Sequence, residues 1–443
     1  MADQNRFLLR KEYFGGLVYD RKTRHVDLLD EWQYNLLKNR DTDQIDASQQ
    51  EISDFLEEQE KKGVIEDGEL KADSVESSII KPNVVSAPIR TYYHITFGCN
   101  LNCTHCMVGK EERGNDELTT EEAINVIRQL EELGNPELRI TGGEPTIRPD
   151  LFEIIHDAAI NRNMNVAMNT NGVFNDRVRE QIVTSGLDGL VISVDGDRAT
   201  HDRIRRQGSF DQTIRTIEYV AEYNETADKK ISICLNPTIS KKNVHLTEYL
   251  ARLAVTLGGA EKGLEINFMP LRPFGNAEDI TSQMLTAGEW YAFSKELARI
   301  REIPEVKESG IGIYSRNMDL LGCYDDCSDK PIPFDRSSCG AATFRMGLSP
   351  NGQGNVCGFI GMLDEFRTPS VREASILEIW HSPAFEKLRH VKKEPCEKCD
   401  YYRKECVGVC KAMSYIKTGE LGKFDHYCYA HLLDGKDGSS SKD

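Results

Sequence analysis

From residue 91 to about 300, short apolar runs alternate with segments whose apolar positions recur every three to four residues. The runs are "YYHIT", "ELRIT", "NVAMNT", "GLVISV", "KISICLNPT" and "GLEINFMP". Between and after them lie "TTEEAINVIRQLEEL", "PDLFEIIHDAAINR", "DRVREQIVTSG", "FDQTIRTIEYVAEY", "HLTEYLARLAVTLG" and "EWYAFSKELARIR". The first set reads as strands and the second as amphipathic helices, six units in all. Thr119 to Glu122 forms a capping box at the first helix.

Short, apolar strands belong in a parallel sheet covered by helices on its outer face. The spacing therefore predicts an α/β protein built on a partial (β/α)6 TIM-like barrel, over residues 81–310, with its working face at the C-terminal ends of the strands. Ahead of it, over residues 1–80, "FLLRKEYF", "GGLVYD" and "HVDLL" read as strands and "DEWQYNLLKN" and "SQQEISDFLEEQEKKG" as helices, with Asp30 and Ser48 as N-caps. That is a small α+β, winged-helix-like domain, joined by a polar linker at about 68–89. Residues 311–335 read as a bridging region. Beyond it, residues 336–432 show little periodicity, and 433–443 read as a disordered tail.

The 443 residues exceed what one core usually supports, in line with this division. A net charge of -17 argues against a nucleic-acid partner, and no apolar run is long enough to span a bilayer. The opening "MADQNRFLLRKEYFGG" lacks the apolar core of a signal peptide, so a cytoplasmic location is expected. There thiols stay reduced, and thirteen cysteines read as metal ligands rather than disulfides.

Their spacing sharpens this. Cys99, Cys103 and Cys106 form a C-x3-C-x2-C loop directly after the first strand. A structural zinc site or a cubane held wholly by protein takes four ligands. Three leave one metal corner open. The other distinctive loops also follow strands: "TGGEPTIRPD" after the second, "NTNG" after the third and "SVDGDRATHDRIRRQGSF" after the fourth. Gly142 and Gly143 permit close backbone approach, and Glu144 can accept from an ammonium group. Nine cysteines lie in the C-terminal block: Cys323, Cys327, Cys339, Cys357, Cys396, Cys399, Cys406, Cys410 and Cys428. Cys234, inside "ISICL", reads as a buried core thiol.

Together the three-cysteine loop, "GGEP" and "SVDG" resemble the radical S-adenosylmethionine (SAM) superfamily. The resemblance implies that Cys99, Cys103 and Cys106 hold a [4Fe-4S] cluster whose fourth iron is chelated by SAM. It also implies that His105 lies near the adenine, that Gly142, Gly143 and Glu144 face the methionyl amine, that Ser193 and Arg205 hold the carboxylate, and that Asn171 and Asn236 line the nucleoside. The C-terminal block resembles the SPASM extension. Gly352 to Cys357 fits its G-x4-C element, while one extra residue separates Cys399 from Cys406. The wiring so implied gives one auxiliary cluster Cys396, Cys399, Cys406 and Cys428. A second takes Cys339, Cys357 and Cys410, with Cys327 or Cys323 as fourth ligand or an open iron. Three [4Fe-4S] clusters and SAM are thus the implied cofactors.

"LRKEYFGGLVYD" resembles the opening of streptide-type peptide maturases. The implied activity is an oxidative carbon-carbon, ether or thioether cross-link in a ribosomally made precursor peptide, through a 5'-deoxyadenosyl radical. The implied partners are that precursor, its leader adding a strand to the N-terminal sheet, and an electron donor such as flavodoxin or ferredoxin. No membrane partner is implied. Two other enzyme classes compete: a sulfatase-type formylglycine maturase, whose relatives carry an Asp where this chain has Gly358, and a SPASM enzyme of tetrapyrrole biosynthesis, which needs no N-terminal module.

Overall fold

The computed structural model describes residues 5–39, 47–109, 116–315, 340–361, 363–399, 408–423 and 425–428. The N-terminal strands form where alternation places them. Strands β1 (Phe7–Glu12), β2 (Gly15–Asp20) and β3 (Val26–Asp30) make an antiparallel meander. Helices α1 (Glu31–Asn39) and α2 (Gln49–Lys62) follow, the second opened by the capping box of Ser48 and Glu51. A hairpin of β4 (Ile65–Glu66) and β5 (Glu69–Leu70) leads to β6 (Ala72–Val75), which pairs parallel with β1. The sheet order is β3-β2-β1-β6.

This sheet is dry on both faces. Phe7, Leu9, Val18 and Leu29 pack with Leu37 and Phe55 of the two helices, whereas Leu8, Leu17 and Tyr19 join the core of the barrel. Arg10 rivets the joint: its buried guanidinium donates to Glu12 at 2.8 Å and to the carbonyls of Ala87, Pro88 and Gly134 at 2.8–3.1 Å. The segment read as a polar linker is a correction. It contains β5 and β6, and Val84, Val85, Ala87 and Ile89 are buried between the units. Trp380 Nε1 donates to the Val85 carbonyl at 3.0 Å. Main-chain groups do this holding, and a side-chain pattern cannot reveal it.

Next come β7 (Arg90–Thr96), α3 (Thr120–Glu132), β8 (Glu137–Gly142), α4 (Leu151–His156, continued by a π-helical turn to Asn161), β9 (Asn165–Thr170), α5 (Asp176–Thr184) and β10 (Gly189–Ile192). They are followed by α6 (Arg198–Ile204), α7 (Ser209–Thr226), β11 (Ser232–Leu235), β12 (Thr238–Ile239), α8 (Thr247–Thr256), β13 (Leu264–Pro270), α9 (Ala287–Arg301), α10 (Pro304–Glu308) and β14 (Gly312–Ser315). The six strands read from sequence lie side by side and parallel in the order β7-β8-β9-β10-β11-β13. Three strands outside that reading extend the arc. β12 and β14 both pair with β13, and β15 (Arg345–Leu348) pairs parallel with β7.

The C-terminal block is more regular than its sequence suggests. After β15 come β16 (Gly354–Asn355), α11 (Ile376–Trp380), α12 (Pro383–Arg389), α13 (Glu394–Glu397) and α14 (Lys411–Thr418). Ser375 and Glu378 form a capping box on α11. Ile376, Ile379, Trp380, Phe385 and Leu388 are buried in the barrel's own core, so apolar burial as well as cysteine chemistry orders this block. Cys323, Cys327, Cys339 and Cys406, most of the bridging region and the tail lie outside the described residues. No described helix is long and apolar enough to cross a membrane.

Candidate active site

The three-cysteine loop leaves β7 at the C-terminal end of the barrel, and loops from four other strands pin it. Behind β8, Gly143 N–H donates to the Thr96 carbonyl at 2.8 Å and Glu144 N–H to the Gly98 carbonyl at 2.7 Å. A Cβ on Gly142 would collide with the Thr96 carbonyl oxygen, and one on Gly143 with that of Gly98. The glycine pair is therefore dictated by packing against the cysteine loop. Behind β9, Asn171 Nδ2 donates to Asn100 Oδ1 at 2.8 Å and reaches Cys99 Sγ at 3.9 Å. From α6, Ile204 accepts from Thr104 N–H at 2.9 Å; beyond β13, Asn276 holds the carbonyls of Cys103 and Cys106, each at 2.9 Å.

Glu144 is buried and collects four donors: Thr146 N–H and hydroxyl, the Thr170 hydroxyl and Asn171 N–H, at 2.7–3.2 Å. Burial nevertheless pushes its carboxyl above the usual range. Asp195, which sequence reasoning did not single out, is the hub of the opposite side. Its Oδ2 takes Arg205 Nε at 2.6 Å and faces His105 Nε2 at 3.3 Å, and its Oδ1 accepts from Thr238 N–H at 2.9 Å. Burial alone would raise the Asp195 carboxyl. Arg205 and His105 more than offset it, and the group lies well below the usual carboxylate range. The signal was present in "SVDG": an Asp at a strand end, ten residues before an Arg.

Arg205 also extends to Cys103 Sγ at 3.7 Å. Burial pushes the Cys103 thiol up to about 11 and also raises Cys99, so in the bare protein both are poor anions. A cation at 3.7 Å and the donors around Cys99 suit thiolates bound to metal. Among the described residues no three His, Cys, Asp or Glu side chains converge as one ion would require. A cubane takes each thiolate on a different iron, so three cysteines on one pinned loop fit such a group. Of the remaining expected residues, Ser193 sits half-buried at the end of β10, its N–H on the Thr170 carbonyl at 3.2 Å. Asn236 accepts from Asn267 Nδ2 at 3.3 Å and faces the lumen. His105 and Arg205 meet at Asp195, while Asn171 holds the loop.

Inside the barrel is a cavity of about 510 Å3. Met107 of the cysteine loop, Cys357, Gly358 and Cys410 line its mouth, and Thr23 and Arg24 of the N-terminal unit line its floor. Cys357 and Cys410 thus share one wall, while Cys396 and Cys399 lie on and just after α13, half-buried, and Cys428 is exposed. Asp425 holds both ends of the last set, accepting from Cys410 N–H at 2.9 Å through its side chain and from Cys428 N–H at 3.1 Å through its carbonyl. Cys234 is buried yet lines the lumen.

The radical SAM superfamily pattern matches residues 93–251, and the SPASM iron-sulfur cluster-binding domain matches 339–400. An AdoMet-dependent heme synthase of Methanosarcina barkeri is 28% identical over 354 residues, 78% of this chain and 97% of that protein. A mycofactocin maturase, MftC, of Mycobacterium ulcerans is 28% identical over 350 residues, 78% and 88% of the two chains. Among solved structures, Streptococcus suis SuiB bound to its precursor peptide SuiA superposes with a TM-score of 0.68 at 18% identity, over 95% of this chain and 97% of that one. The anSMEcpe enzyme with AdoMet and a peptide gives a TM-score of 0.60 at 18% identity, over 78% and 95%. The two domains imply SAM, a SAM-binding [4Fe-4S] cluster and auxiliary clusters. The chain thus carries a radical SAM domain over 93–251 and a SPASM iron-sulfur domain over 339–400.

Proposed function

We propose that this chain is a maturase of a ribosomally made precursor peptide and installs an oxidative carbon-carbon, ether or thioether cross-link in it. The observation that carries this reading is the N-terminal unit. Its sheet is docked on the barrel through Arg10, its outer strands β3 and β6 each pair on one side only among the described residues, and it belongs to a fold shared over 95% of the chain with SuiB, solved on a precursor peptide. That coverage necessarily takes in most of residues 1–80, whereas the heme synthase match spans 78%. A leader peptide adding a strand at one of these edges would feed the core peptide toward the lumen.

In this reading Cys99, Cys103 and Cys106 hold the SAM-binding cluster, Gly142, Gly143 and Glu144 stand by the methionyl end, and Cys357 and Cys410 belong to one auxiliary set. The loaded cofactors, reduced by a flavodoxin or ferredoxin, supply hydrogen abstraction and take back the electron left after bond formation. The chain's residues do the rest. Asp195 keeps Arg205 charged beside Cys103, the loop contacts fix the cysteines, and the lumen holds the substrate between Met107 on one side and Cys357 and Cys410 on the other. Gly358 places no base at the mouth, which weakens the sulfatase-type alternative.

Hydrogen exchange on the full-length holoenzyme tests this. Adding a candidate precursor peptide should slow exchange in 26–30 or in 72–75, the edge strands, and a proline in the paired stretch of its leader should abolish the effect. Unchanged exchange at both edges, with the peptide still processed, would make the N-terminal unit structural and favour the tetrapyrrole alternative.

A further inference from the structure

The floor of the lumen is electrostatically unlike the rest of the molecule. The chain carries a net charge of -17, yet Arg24, Arg90, Arg139, Arg272, Arg345 and Lys411 line this cavity against Glu137 and Glu265. Strand register stacks the floor in layers. Arg345, Arg90 and Glu137 are side by side on β15, β7 and β8, and one layer higher Gly347, Tyr92 and Arg139 are side by side. The same layer continues through Ala167, Gly189 and Ser232, whose small side chains leave room opposite Arg139.

The charges here do not cancel. Glu137 is spoken for twice, by Arg90 and by the Tyr19 hydroxyl at 3.0 Å. Arg139 makes no hydrogen bond or ion pair among the described residues. Arg345 is 9% exposed; its guanidinium reaches the Tyr92 hydroxyl at 3.4 Å, and its Nε is buried with no acceptor. Higher in the lumen, His94 Nδ1, Asn169 Oδ1, Asn267 Oδ1 and Arg272 Nε are likewise buried and unpartnered among the described residues. Buried cations without counter-charges are costly, and an array of orphaned polar groups around one cavity is what a ligand site leaves when its ligand is taken away.

We propose that the floor is a carboxylate site, in which Arg139 and Arg345, beside the Tyr92 hydroxyl, hold a carboxylate of the substrate at the end remote from the reacting carbon. The planar guanidinium fork suits a carboxylate, and a peptide substrate, the reading on which this rests, offers one at its C-terminus or on an acidic side chain. Four residues of strand separate Tyr92 from Thr96 at the mouth, a rise of about 13 Å. A substrate anchored at the floor would therefore stand along the lumen with its upper part beside Met107 and Cys357. Electrostatics agree: burial would raise the Tyr92 phenol, but Arg345, Arg90 and Arg139 draw it down to about 7.

Calorimetry on the holoenzyme tests this with three probes: acetyl-valine, which has a terminal carboxylate; acetyl-glutamate α-amide, which has a side-chain carboxylate; and acetyl-glutamine amide, which has neither. At least one acid should bind ten or more times tighter than the neutral probe, and the tighter acid names the source of the carboxylate. Arg139→Gln and Arg345→Gln should each erase the preference. Equal binding of all three probes to the unaltered enzyme would overturn the proposal without any variant, as would a preference that survives both substitutions. Either result would leave the leader-peptide reading standing, since exchange at the β3 and β6 edges reports on that separately.

Discussion

The two ends of the barrel are built from the same strands and treat buried charge in opposite ways. At the mouth, the Asp195 carboxylate faces Arg205 and His105 and accepts a main-chain N–H besides. At the floor, Arg24, Arg90, Arg139 and Arg345 stand around Glu137, which pairs with Arg90, and Arg345 Nε finds no acceptor among the described residues. A buried charge is tolerated when paired and hydrogen-bonded, so the Asp195 charge at the mouth is matched as it stands and its cluster positions the cysteine loop, while the ring atoms His105 Nδ1 and His201 Nε2 beside it have no partner among the described residues. While the Tyr92 phenol keeps its proton, the floor becomes complete only with an anion supplied from outside; above about pH 7 the Tyr92 phenolate takes part of that role. Pre-organisation and recruitment are thus separated along one axis.

Charge deletion breaks this contrast most sharply at the mouth. Asp195→Asn keeps the shape but strands the buried Arg205 guanidinium without a counter-charge, and should cost about 3–5 kcal/mol of stability. A melting curve and an iron assay check it, both expected to fall. At the floor, Tyr92 gives a smaller, pH-dependent effect. Its phenol ionises at about 7 in the folded protein against about 10 in an unfolded chain. The stability it contributes is therefore full above about pH 10 and is lost as the pH falls through 7. The gap in urea midpoint between the unaltered protein and Tyr92→Phe should widen from pH 7 to pH 9, by about 2 kcal/mol at most. A gap independent of pH would show that the arginines leave Tyr92 unperturbed. Arg139→Gln should do least, changing stability by under about 1 kcal/mol and with a stabilising sign, because it removes an unpaired buried charge. A loss as large as that of Asp195→Asn would mean that the floor is as fully paired as the mouth.

What was legible in the sequence follows from range. Local rules found the six barrel strands, the N-cap at Ser48, the capping box at Thr119 and the cysteine loop, because each is decided within a few residues. The partners of β15 and β6 were not legible. β15 joins β7 from 255 residues away (345 − 90) and β6 joins β1 from within a segment that reads as polar linker, both through main-chain bonds. The lumen left a trace that passed unused. Arg90, Tyr92 and His94 alternate along β7, as do Glu137, Arg139 and Thr141 along β8, and all six line the cavity. Polar residues at every second position of a strand covered by helices point to a polar interior. Asp195 stands in the "SVDG" motif without announcing its role, since its worth depends on His105 and Arg205 meeting it in space.

The central claim is that Cys99, Cys103 and Cys106 hold the cluster that cleaves SAM. Anaerobic reconstitution followed by chemical reduction should yield an enzyme that releases 5'-deoxyadenosine from SAM, and replacing all three cysteines by Ala should abolish that release while lowering iron content by about four atoms, one cubane. Release of 5'-deoxyadenosine by the triple variant at the rate of the unaltered enzyme would contradict the account.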